Sequence, residues 1–110
     1  MALFRCGSGS GGGGMPELTT ASMQSVSLSQ SFSTISGVTP VDGMVITVCP
    51  LMSSYSAYGG VLLVKNGEIV ELSDSSFTYK AKGQISNGAL QLRQTWSSQA
   101  KTCAVFIAQP

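Results

Sequence analysis

The sequence predicts an all-β domain, an antiparallel β-sandwich of about seven strands with a jelly-roll-like or small-barrel closure as variants, behind a flexible N-terminal tail. Three observations predict it. Asn66-Gly67 and Asn87-Gly88 each separate two runs of alternating apolar and polar residues. Asn and Gly tolerate the left-handed backbone that two-residue hairpin turns need. No window of eleven or more residues carries a helical period. The chain is polar mainly through eighteen serines and eight threonines, and only 10% of its 110 residues are charged. An ordinary soluble domain carries roughly 25% charged residues, whereas hydroxyl-rich surfaces suit strands.

The elements follow in order. Residues 1–15 hold six of the thirteen glycines, all between Gly7 and Gly14. Such a run reads as a flexible tether, because glycine loses the most backbone freedom on ordering. It carries a short apolar tip, Ala2-Leu3-Phe4, and the domain is expected to occupy 16–110. In the Ser/Thr-rich stretch Glu17–Ile35, Val26, Leu28 and Phe32 keep a period of two, the pattern of a half-buried strand. Gly37–Gly43 is a turn region. Met44–Cys49 is apolar on both faces, as in a central strand, and Pro50 ends it. Ser53–Gly60 is a loop that holds Tyr55 and Tyr58.

Asn66-Gly67 fixes a hairpin that pairs Lys65 with Glu68 and Val64 with Ile69. One face carries Val61, Leu63, Val70 and Leu72, and the other Leu62, Val64, Ile69 and Glu71. Lys65 and Glu68 are expected to form a cross-strand ion pair, with Glu71 on the face away from the core. Asn87-Gly88 fixes a second, longer hairpin, with Ile85 opposite Leu90, Gly83 opposite Leu92 and Tyr79 opposite Trp96. That register gathers Phe77, Tyr79, Ala81, Ile85, Leu90, Leu92 and Trp96 on one face, with Gln94 the polar intruder. Thr78, Lys80, Lys82, Gln84, Gln91, Arg93 and Thr95 fall on the other. Gly83 suggests a bulge. Thr102–Ala108 reads as a last strand, apolar and buried on both sides.

Three cysteines fit a reducing compartment, and an odd count precludes a fully paired framework. Cys49 and Cys103 sit in apolar runs and read as buried free thiols, with a Cys49–Cys103 bridge as the alternative. Cys6 lies on the tether and is expected to be exposed. The tail has no apolar core of the kind a secretory leader needs, and no run reaches transmembrane length.

Chemistry is sparse. The chain lacks histidine, which removes the usual general base and the commonest metal ligand. Glu17, Asp42, Glu68, Glu71 and Asp74 fall into no recognisable catalytic or metal spacing. No enzyme activity, catalytic residue, cofactor or metal is expected. The net charge of +1 gives no field for nucleic acid. Gly7–Gly12 fits G-x-G-x-x-G in letters only, without the flanking strand and helix that a phosphate site needs.

Three features remain as candidates. Leu3 and Phe4 suit a plug that docks on a partner, with a featureless start as the plain alternative. Lys80, Lys82 and Arg93 share one face of the second hairpin, either as a small basic patch for a polyanion or as an ordinary solvated face. Tyr55 and Tyr58, beside Gly59-Gly60, form an aromatic loop that either stacks on sugars or covers the end of a sandwich.

Met-Ala-Leu-Phe-Arg-Cys-Gly-Ser-Gly-Ser-Gly-Gly-Gly-Gly ahead of a Ser/Thr-rich all-β domain resembles small virion-associated proteins of tailed bacteriophages from gut Firmicutes. The resemblance covers Met1–Gly14 and the general layout. It implies a capsid decoration or a tail or fibre component, assembled in the host bacterial cytoplasm. It also implies contacts with other virion proteins and with like copies. From the charge and the run lengths, neither nucleic acid nor membrane is expected as a partner. A carbohydrate- or cell-surface-binding module, with a host-surface glycan as partner, is the alternative. A β domain beginning at Met15 behind an added linker is a third.

Overall fold

The computed structural model describes residues 20–51, 58–73 and 77–110. The tether with Leu3, Phe4 and Cys6, and also Tyr55 and Asp74, lie outside the described residues. Among the described residues nine strands form: β1 (Thr20–Leu28), β2 (Ser33–Thr34), β3 (Val45–Pro50), β4 (Tyr58–Lys65), β5 (Glu68–Glu71), β6 (Tyr79–Lys80), β7 (Lys82–Ser86), β8 (Ala89–Arg93) and β9 (Lys101–Gln109). The large sheet runs β1-β9-β3-β4-β5, with β6 beside the start of β4, and the small sheet runs β2-β8-β7. All pairings are antiparallel except β4 with β6. The fold is thus the expected all-β sandwich. Two of the nine strands are only two residues long.

Period-two alternation decides which side chains meet. Leu28, Ile46, Val48, Leu62, Val64, Cys103, Val105 and Ile107 leave the inner face of the large sheet. They pack on Ile35, Ala81, Leu90 and Leu92 from the small sheet and its margins. Each fully buried aliphatic side chain contributes roughly 1.5–3 kcal/mol. A surface ion pair gives about 1 kcal/mol or less, so this apolar layer is what holds the sheets together.

Both hairpins form in the expected register near their turns. Lys65 lies opposite Glu68, Val64 opposite Ile69, Ile85 opposite Leu90 and Gly83 opposite Leu92. Asn66 (φ 54°), Gly67 (φ 74°), Asn87 (φ 52°) and Gly88 (φ 76°) are all left-handed, as a type I′ turn demands. β3 lies between β9 and β4 as the central strand.

Away from the turns the structure departs from expectation. The second hairpin stops at Lys82–Arg93, so Tyr79 does not pair with Trp96. Instead Tyr79 and Lys80 run parallel to Tyr58 and Gly59, and Ala81 N donates to Gly59 O at 2.7 Å. The cause lies in Gln94, which is fully buried and folds 94–99 into a loop. Its Nε2 donates to Ser97 O and Gln99 O, both at 2.9 Å, and reaches Leu28 O at 3.4 Å. Its Oε1 accepts from Trp96 N and Ser97 N, both at 2.8 Å. A buried amide has to be satisfied, and here the satisfaction takes the form of a loop rather than a longer ladder.

Gly83 marks no bulge. A Cβ there would meet Leu62 Cδ1 at 2.8 Å, so the glycine permits close approach of the two sheets. Phe32 lies beyond β1 and is exposed, because the chain turns after Leu28, where the Ser29 hydroxyl accepts from Ser31 N. Tyr58, Gly59 and Gly60 belong to β4, not to the preceding loop. The ion pair formed between described residues is Lys82–Glu71 at 3.0 Å, joining β7 to β5, rather than Lys65–Glu68. Glu71 therefore reaches toward the small sheet. β9 is not buried on both sides: Cys103, Val105 and Ile107 are in the core, but Phe106 is 45% exposed.

Candidate functional site

Two regions stand out at the margins of the core. The first lies where β4 and β6 begin. Parallel register places Tyr58 beside Tyr79, with ring centroids 5.0 Å apart at 80°, an edge-to-face pair. Trp96 stands 5.8 Å from Tyr58 at 41°, held there by the Gln94 amide through its backbone N–H. Thr95 Oγ1 donates to Lys80 O at 2.8 Å and ties the loop to β6. Tyr79 is 45% exposed, whereas Trp96 Nε1 is buried with no hydrogen-bond partner. Leaving such a donor unsatisfied costs about 1–3 kcal/mol. Aromatic rings grouped at a sandwich end supply the apolar faces that sugar rings stack on.

The sequence singled out Tyr58 here and assigned Tyr79 and Trp96 to the core face; Trp96 does pack against the core, whereas Tyr79 is exposed. The missed signal was Gln94. A buried amide two residues before Trp96 ends the pairing and holds the loop in which Trp96 meets Tyr58.

The basic residues do not make a free patch. Lys82 is engaged by Glu71. The Arg93 guanidinium lies 5.4 Å from the Phe32 ring centroid, and its Nη1 donates to Gln30 O at 3.4 Å. Lys80 stands on β6, whose pairing partner is β4 in the other sheet.

The second region is the outer face of β1, β9 and β3. Residues alternate outward there as Ala21, Met23, Ser25 and Ser27, then Thr102, Ala104, Phe106 and Ala108, then Val45, Thr47 and Cys49. None is charged. Met23 is 58% exposed and Phe106 45%, and the two lie directly opposite each other. Farther along the sheet, Phe77 covers Val45 and Val61 in a second, small apolar cluster with Leu63 and Leu72. Among the described residues no such cover lies over Met23 and Phe106. A signal for Met23 was available, since it sits out of phase with Val26 and Leu28 and must face the other way.

The cysteines divide between the faces. Pro50 pairs with Cys103 and Cys49 with Ala104, so Cys49 points outward and Cys103 inward. That disposition precludes a Cys49–Cys103 bridge. Cys103 is a free buried thiol, as expected, with Sγ donating to Lys101 O at 3.6 Å. Burial pushes it up to about 11, so it stays protonated and unreactive near neutral pH. Cys49 corrects the expectation of a second free thiol: it is half-buried and disulfide-bonded.

Among the described residues, no three His, Cys, Asp or Glu side chains come together to hold a metal ion. No helix among them is long and apolar enough to cross a membrane. No family model matches the chain, no curated protein matches its sequence, and no solved structure matches its fold.

Proposed function

We propose that the chain is a non-enzymatic accessory component of a bacteriophage virion, a capsid decoration or a tail or fibre part. It is anchored through Leu3 and Phe4 at its N-terminal end and packs on other virion proteins or like copies. The observation that supports this most is the uncharged outer face of β1, β9 and β3, with Met23 and Phe106 exposed at its centre. Apolar side chains grouped in one patch mark a contact surface more than scattered ones do. With no charge on that part of the sheet, approach of a second neutral surface meets no desolvated ion. Among the described residues β1 is also the edge strand of the large sheet, where a neighbouring chain can reach it. Many weak contacts of this kind, repeated over a particle, hold by avidity.

The reading is tested by expressing the full chain during phage growth and separating particles from soluble protein after lysis. The expected result is co-sedimentation with particles, lost when residues 3–6 are deleted. Recovery of the full chain only in the soluble fraction would refute the assignment.

The aromatic group supports a second reading, a host-surface glycan bound by stacking at Tyr58, Tyr79 and Trp96. On that reading, glycan-array binding is present in the full chain and disappears in Tyr79→Ala. An array without signal from the intact chain removes it.

A further inference from the structure

We propose that two copies of this chain join edge to edge, with β1 of one pairing antiparallel with β1 of the other, so that the two large sheets run into one. Such a pair is the like copy that the virion reading leaves general, but it follows from the backbone of β1 alone and is tested on purified protein without particles.

The hydrogen-bond ladder shows which backbone groups are free. Val64 N donates to Met44 O, so Met44, Ile46 and Val48 turn their N–H and C=O groups toward β4. Alternation then turns those of Val45, Thr47 and Cys49 toward β9, opposite Ala108, Phe106 and Ala104. Leu51 N donates to Thr102 O at 3.1 Å in the same phase. The other β9 residues, Cys103, Val105 and Ile107, therefore bond to their partners Val26, Gln24 and Ser22 on β1. Ala21, Met23, Ser25 and Ser27 are left with their N–H and C=O groups directed away from β9. All four residues are exposed. Among the described residues no strand lies beside β1 on that side and no group bonds to theirs.

An unpaired row of this kind is a template for another strand, and sheets guard it by shortness, charge, proline or a bulge. The other sheet edges are guarded. β5 has four residues with Glu68 and Glu71 at its ends, β7 begins at Lys82, which Glu71 engages, and β2 has two residues. β1 has nine residues without charge or proline, and its register with β9 is unbroken.

A second copy fits this edge because β1 complements itself. A two-fold axis at Gln24 sets Ala21 opposite Ser27 of the second copy and Met23 opposite its Ser25. Every free N–H and C=O of the four residues then has a partner. Like charges directly opposite each other would oppose a self-pairing strand, and β1 has no charge. Each copy brings one such edge, so the contact is isologous and closes at two. The outer face stays open. The uncharged surface of β1, β9 and β3 continues across the axis with Met23 of both copies beside it, and the pair presents a wider apolar face than one chain.

The experiment combines sedimentation equilibrium with amide hydrogen exchange by NMR on the full chain, in reducing buffer so that no disulfide links copies. A monomer–dimer equilibrium is expected. As concentration rises, exchange should slow at the Ala21, Met23, Ser25 and Ser27 amides, while the Gln24 and Val26 amides stay slow throughout. Ser25→Pro removes an N–H from the free edge and none from the β9 ladder. It is expected to weaken dimerisation at least about tenfold, the order of one hydrogen bond lost on each copy. Met23→Lys/Ser25→Lys and Met23→Glu/Ser25→Glu each set like charges opposite each other and should be monomeric alone, and mixing them should restore a dimer. A chain that stays monomeric at the highest concentration reached overturns the proposal. So does a dimer whose four edge amides exchange at unchanged rates, or one that Ser25→Pro leaves intact, since copies stacked by their faces do not need the edge. Monomers that still sediment with particles would remove the edge pair and leave the virion reading standing.

Discussion

The two faces of the large sheet are made by the same strands and have different fates. Ile107 is 3% exposed and packs in the core, while its neighbour Phe106 is 45% exposed. Alternation assigns them to opposite faces, and the small sheet closes only one of those faces. On the other, Phe77 covers the part over Val45 and Val61, leaving Met23 and Phe106 exposed. An apolar residue at strand period is therefore core on one side of β9 and contact surface on the other. The difference is made by what else the chain lays over it.

The largest expected effect tests the inner face. Leu92→Ala removes a fully buried side chain between the sheets and should destabilise by about 2–5 kcal/mol in urea unfolding. Under reducing conditions Phe106→Ser should change stability by only about 0.5 kcal/mol. Equal losses for the two would erase the distinction between the faces.

Next in size is Gln94→Leu. It leaves Trp96 N and Ser97 N without their acceptor and three carbonyls without their donor. A loss of about 1–3 kcal/mol is expected, together with altered Trp96 fluorescence as the 94–99 loop loosens. A variant as stable as the parent would show that the amide does not organise the loop.

Gly83→Ala is expected to cost about 1–3 kcal/mol, because the new methyl meets Leu62 Cδ1 at 2.8 Å and Leu92 Cδ2 at 3.2 Å, both on fully buried side chains. Thermal unfolding reads it directly, and a neutral outcome would mean that the sheets separate more easily than their packing implies.

The smallest effect at neutral pH concerns Cys103. Its thiol is raised from 9.0 to about 11 by burial. Below about pH 9 both folded and unfolded chains keep the proton, and the stabilisation is fully present. Between pH 9 and 11 the unfolded chain loses its proton first, so stability falls as pH rises. Cys103→Ala lacks this linkage, and its stability difference from the parent should narrow across that window in pH-dependent urea unfolding. A constant difference would mean that the thiol is not shielded.

Much of the sandwich was legible in the sequence. Asn66-Gly67 and Asn87-Gly88 set the register of both hairpins through local backbone chemistry, and the two-sided apolar run at Met44–Cys49 marked the central strand. Legibility ended where non-local competition decides. Pairing beyond Lys82–Arg93 would have buried the Gln94 amide without partners, and a period-two reading weighs only side-chain alternation. For the same reason Tyr79 was assigned to the core, although the structure leaves it exposed beside Tyr58. The state of Cys49 was hidden because cysteines pair by the face they share in space, and Cys49 and Cys103 turn out to be on opposite faces.

The outer face is decided by one comparison: the share of full-length chain recovered with particles, for the parent and for Met23→Ser/Phe106→Ser, with equal thermal stability as the control. A fall of about tenfold, the order of one lost apolar burial, is expected with the melting temperature unchanged. Undiminished recovery of the double variant would show that Met23 and Phe106 make no contact that matters.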